Sequence, residues 1–185
     1  MRGIRPGLVL PAIAAVLLAA QARGEEAACD SATAQGAVLL SLAAAVPGAI
    51  ESGRLSPQAR AGLRADLTAA YLAHRASADG RPLCQALDRL RDAHGLRGDP
   101  GAGPASPITA VSVARCMDAE QAGRIWNDML PDIDAAHRLG FLAEDEYGAF
   151  SLYFTAINAA VAESPAISMP EVCLSFLGLW RIYRS

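Results

Sequence analysis

The stretch GRLSPQARAGL at residues 53–63 is answered further along the chain by GFLAEDEYGAF at residues 140–150. Each writes a glycine, a leucine two residues on, a polar run and then large apolar residues. Glycine ends helices because it enters the left-handed backbone region without a Cβ penalty. Ser56-Pro57 then reads as an N-cap followed by proline at the first helical position. In the second stretch Glu144, Asp145 and Glu146 put three acids where the positive end of a helix dipole would sit. Both stretches therefore spell a helix stop, a short turn and a helix start, and the expected fold is all-α.

Laying Cys29 over Cys116 extends the correspondence without a gap for more than about forty residues, a run of helical apolar spacing. Gly36 meets Gly123, Ala49 meets Ala136, Gly53 meets Gly140, Leu55 meets Leu142 and Ala69 meets Ala156. Val38, Leu39, Leu42 and Val46 meet Ile125, Trp126, Met129 and Ile133, so one apolar stripe is kept. A two-residue insertion later, Cys84 falls on Cys173. Matched cysteines, stripes and turns together imply an internal duplication of a three-helix module. The first helix starts at Asp30 or Ser31 in one copy and Asp118 in the other; the third starts near Asp79 and Ser168.

The expected organisation is a signal peptide over residues 1–22, a first three-helix module over 23–95, a Gly/Pro-rich linker over 96–114 and a second module over 115–185. The signal peptide rests on Arg2 and Arg5 ahead of an apolar run and on Ala20-Gln21-Ala22 as a cleavage site. That run is shorter than the roughly 20 residues a bilayer requires. Acylation at Cys29 is disfavoured, because Glu26 stands where a lipoprotein signal wants leucine. No later stretch reads as a membrane helix, so the mature chain is expected to be soluble and periplasmic or secreted. Within the linker, Ile108–Val113 is β-like and is expected to be extended. Small residues at Ala43–Ala45 and Ala69–Ala70 would let the two modules pack closely.

Four cysteines remain after cleavage, which in an exported chain implies two disulfides. A structural zinc site normally uses C-x-x-C pairs, and none occurs. Symmetry between the copies selects Cys29 with Cys84 and Cys116 with Cys173. In the chain-entropy model each bond contributes about 4 kcal/mol, much for a module that buries little core.

Removing Arg2 and Arg5 takes the formal charge from −3 to −5, which excludes a basic nucleic-acid surface. Nine of the ten aromatic residues belong to the second copy, and so do most of the acids. Aromatic residues at helical spacing usually build core. Read as a site instead, Trp126, Phe141, Tyr147, Tyr153 and Trp180 form a binding surface on the second module around the Gly140 turn. Its partner would be a basic or amphipathic protein or peptide. His137, on the apolar stripe one turn after Asp134, is the one candidate acid–base pair. No phosphate loop, cofactor fingerprint, metal-ligand cluster or triad pattern is present in the sequence, so no cofactor and no metal are expected. The leading expectation is a non-enzymatic binding protein. A small hydrolase using His137 and a periplasmic stress chaperone are the alternatives.

Overall fold

The computed structural model describes residues 31–77, 81–96, 109–164 and 167–184, and these form seven α-helices. In chain order they are α1 (Ala32–Glu51), α2 (Pro57–Ala76), α3 (Arg81–Ala93), α4 (Thr109–Met117), α5 (Ala119–Arg138), α6 (Glu144–Glu163) and α7 (Met169–Tyr183). The signal peptide, Cys29, Asp30 and Asp79 lie outside the described residues.

The helix starts follow the capping chemistry of the sequence. Ser31 and Ser56 accept the amides of Ala34 and Ala59 at 3.1 and 3.2 Å. Asp118 accepts those of Glu120 and Gln121 at 3.0 Å, and the Gln121 amide holds its carboxyl below the usual carboxylate range. Where Ala143 stands in place of a capping serine, the Glu146 carboxylate accepts the Ala143 amide at 3.0 Å instead. Gly53 and Gly140 end α1 and α5 with φ of 72° and 77°. Past each glycine a leucine folds back: Leu55 donates its amide to the Ala49 carbonyl, Leu142 to that of Ala136, and both side chains are buried. The two stretches are thus the same structural turn.

Helix α1 occupies the middle of the bundle. It carries no charged residue before Glu51 and buries residues around most of its circumference, including Leu39, Leu40, Leu42, Ala43, Val46 and Ala49. Helices α2 and α3 leave much of that surface uncovered, and α6 and α7 from the other half pack against it most extensively. Two glycines make the approach possible. A Cβ on Gly36 would overlap the Ala156 carbonyl and stand 2.9 Å from the Ala160 Cβ of α6. A Cβ on Gly178 of α7 would overlap the Ala43 carbonyl. Pro47 has no amide to give that carbonyl, so the glycine backbone of α7 comes up against an acceptor freed from the helix ladder. The result is one core shared by both halves, in which Leu42 and Val46 join Met129, Ile133, Phe150, Tyr153 and Phe176.

Three expectations need correction. From residue 109 onward the β-like run inside the supposed linker is helical: α4 spans Thr109–Met117, so the described residues of the second half form four helices and Cys116 sits in the last turn of the first. Burial explains the override of β-propensity, because Ser112 and Cys116, four apart, face inward and Ser112 donates to Glu51, which Arg181 also contacts. Leu96, assigned to the linker, is 2% exposed and belongs to the core. Finally, Thr33–Glu51 is by length and composition apolar enough to cross a membrane. Here that apolarity is satisfied by the packing of α6 and α7 around it.

Candidate functional site

Cys116 and Cys173 are bonded, with Cα atoms 5.5 Å apart, tying the end of α4 to the first half of α7. Ile125 of α5 and Leu177 of α7 bury themselves beside the bond, with Ala122 and Leu174 against them. Above this small satellite core a groove of about 480 Å³ opens between the N-terminal halves of α5 and α7. Its floor is the disulfide with Val172 and Phe176, and its α5 wall is Ala119, Ala122, Gly123, Trp126 and Asn127. Met117 and Met169 stand at its rim, 68% and 73% exposed, and Trp126 is 41% exposed. The Trp126 ring packs edge-on to Phe176 at 4.8 Å and against Phe154 at 5.6 Å, so one side is held while the other meets solvent. No atom would lie within 4 Å of a Cβ built on Gly123.

Chemically the groove is an apolar trough with few polar groups. Pro131 supplies no amide to the Asn127 carbonyl, and Asn127 lines the groove edge. Exposed Asp118, Glu120 and Glu171 flank its α5 and α7 ends in sequence. The volume is within the range of small-ligand sites, and methionine rims accommodate varied apolar shapes.

Of the five aromatic residues expected to bind, only Trp126 lines this groove. Trp180 lies in a neighbouring open cleft with Asp128, Asp132 and Arg184. Its indole N–H donates to Asp132 at 2.7 Å, and the Arg184 guanidinium rests over its ring at 5.1 Å while pairing with Asp132 at 2.9 Å. Tyr153 is core: 1% exposed, it donates its hydroxyl to the Leu67 carbonyl at 2.5 Å. This corrects its assignment to a surface, since a buried tyrosine satisfied by backbone has nothing left to offer a ligand.

Tyr147 and Phe141 belong to the Gly140 turn. Phe141 is 77% exposed and lines none of the cavities described above. His137 stacks on Tyr147 at 4.2 Å, and its Nε2 is 2.9 Å from a Glu144 carboxylate oxygen. Asp134, expected to orient His137, instead accepts the Tyr147 hydroxyl at 2.8 Å, and this bond holds that hydroxyl above the usual tyrosine pKa. The histidine therefore joins the end of α5 to the start of α6.

Burial pushes the hydroxyls of both Tyr153 and Tyr183 far above the ordinary value of 10.0. Folding thus favours their protonated form; the associated stability is complete below that ordinary value and is lost as pH climbs beyond it. A spectrophotometric titration should show two of the four tyrosines ionising only together with loss of the helical circular dichroism signal. Ionisation of all four while the chain remains folded would contradict their burial.

Gly123, Met117 and Met169 are functional candidates that sequence reasoning missed. The signal lay in the sequence correspondence: Met117 and Met169 fall opposite Asp30 and Gly80 when Cys116 is laid over Cys29 and Cys173 over Cys84. A change from polar or small to large apolar at a helix end marks an exposed hydrophobic patch. The chain matches no protein-family model, no curated protein and no solved structure.

Proposed function

We propose that this chain is an exported, non-enzymatic binding protein that arose by internal duplication and takes an amphipathic helical partner into the α5/α7 groove. The carrying observation is the exposure of Trp126, Met117 and Met169 around an apolar trough, in a fold whose other large apolar side chains are mostly buried. Export is supported by the leader-like residues 1–22 and by the Cys116–Cys173 bond, which suits an oxidising compartment. Duplication is supported by helix bounds that repeat at a constant offset for α1 with α5 and α2 with α6, all four being 20 residues long. The same offset relates the Gly53 and Gly140 turns and their leucine-to-alanine hydrogen bonds. Within this reading Cys29 pairs with Cys84.

The partner is cationic as well as amphipathic. From Arg115 onward five arginines face ten acids, whereas Arg23 to Arg97 carries nine arginines against eight acids. A designed helical peptide with a Leu/Ala face and an Arg face is a suitable probe. Titration followed by tryptophan fluorescence should show saturable binding that weakens with salt. Gly123→Phe, which adds a ring at a groove-lining position whose Cβ would have no neighbour within 4 Å, should weaken it about tenfold or more, about 1.4 kcal/mol. Binding unchanged by Gly123→Phe would remove the groove as the site.

A further inference from the structure

The duplication supplies a template for what the groove receives, and the following rests on that reading. In the first half the face of α1 corresponding to the groove wall runs through Gly36, Leu39 and Leu40, and all three are buried. What covers Gly36 is the C-terminal half of α6. Ala156 and Ala160 lie against Gly36, and the Thr33 hydroxyl donates to Glu163 at 2.5 Å. In the second half the matching residues, Gly123, Trp126 and Asn127, are exposed. One face is filled by a small-residue helix and its repeat stands open.

The chain also carries the counterpart of that filler. Ala156 and Ala160 of α6 correspond to Ala69 and Ala73 of α2, and both are exposed. They belong to an exposed stripe, Ala65, Ala69, Leu72, Ala73 and Ala76, at the spacing of one helical face. Leu72 is 40% exposed. Among the described residues α2 makes no extensive contact with α5, so the stripe does not fill the groove of its own chain. The arginines of α2 lie away from this stripe, and Arg64 pairs with Glu146 of its own chain at 3.1 Å, so the stripe matches the groove through small apolar side chains and not through charge.

We infer that the groove's occupant is α2 of a second copy of this chain, laid with Ala69 and Ala73 against Gly123 as α6 lies against Gly36. The contact is confined to α2. Gly178, which lets α7 touch α1, corresponds to Arg89 of α3, whose side chain prevents a matching approach. Because each chain owns both a groove and a stripe, two copies can exchange them reciprocally and close as a twofold dimer. Trp126 becomes covered on association.

The test is sedimentation velocity on the oxidised chain from Arg23 onward, between about 1 and 300 micromolar, a range that captures modest affinities. The expected result is a concentration-dependent dimer. Gly123→Phe and Ala73→Arg should each weaken it about tenfold or more with unchanged far-ultraviolet circular dichroism, since one position opens on empty space and the other on solvent. Mixing the two variants should restore part of the association, because that pair retains one intact groove facing one intact stripe. A monomer throughout the range, or a dimer indifferent to both variants, would overturn the inference. If the chain is monomeric yet binds the Leu/Ala/Arg peptide in a manner blocked by Gly123→Phe, self-recognition falls and the binding reading stands. If neither partner is bound, both fall.

Discussion

A Gly36→Ala chain is expected to melt about 5 to 10 °C below the parent, and Gly178→Ala to do the same, corresponding to about 2–3 kcal/mol in a chain of this size. In an exposed helix interior the same change would stabilise by about 1 kcal/mol, because alanine loses less backbone entropy. The sign is reversed by what stands opposite. A Cβ at Gly36 or Gly178 meets a backbone carbonyl of another helix rather than the end of a flexible side chain. Relief would require α1 to move away from α6 or α7, and that contact organises the shared core. Gly123 is the internal control, since it occupies the same place in α5 as Gly36 in α1 but faces open space. Gly123→Ala should raise the melting temperature slightly. Thermal denaturation of the three variants reads the contrast directly, and a Gly36→Ala chain more stable than the parent would contradict the close crossing.

Removing the bond between Cys116 and Cys173 has the other large expected effect. The cysteines are 57 residues apart, and the chain-entropy model assigns such a loop up to about 4 kcal/mol. A Cys116→Ser/Cys173→Ser chain should therefore melt about 10 °C lower. Peptide binding should weaken as well, because the bond is the groove floor and fixes α4 against α7. Non-reducing peptide mapping of the parent should recover Cys116 joined to Cys173 and Cys29 joined to Cys84. A chain whose stability and binding survive the double substitution would show that α4, α5 and α7 hold the groove without it.

The helix boundaries were largely legible because they are written in local chemistry. Ser31, Ser56, Asp118 and Ser168 each accept an amide of the helix they start, and Gly53 and Gly140 take the positive φ their positions demanded. Helix α4 was not legible, since Val111 and Val113 favour strand locally and its stability comes from burying Ser112 and Cys116 against other helices. The aromatic residues divide for the same reason. Composition concentrates them in the second half, but whether a ring is core or surface depends on which helix crosses it. Tyr153 lies beneath α2 and reaches the Leu67 carbonyl, whereas Trp126 remains 41% exposed among the described residues. Matching Gly36 to Gly123 was possible from the sequence alone. That one of them is crossed by a helix and the other is open required the tertiary arrangement.

On the proposed function the chain meets its partner at the α5/α7 groove and not at the Gly140 turn. Site-directed photo-crosslinking separates the two. A benzophenone side chain is placed at Ala119, in the groove, and in a separate chain at Phe141, on the turn, each irradiated with the Leu/Ala/Arg peptide and analysed by mass spectrometry. A peptide adduct is expected from position 119 and little from position 141. Efficient labelling from position 141 with none from position 119 would contradict it.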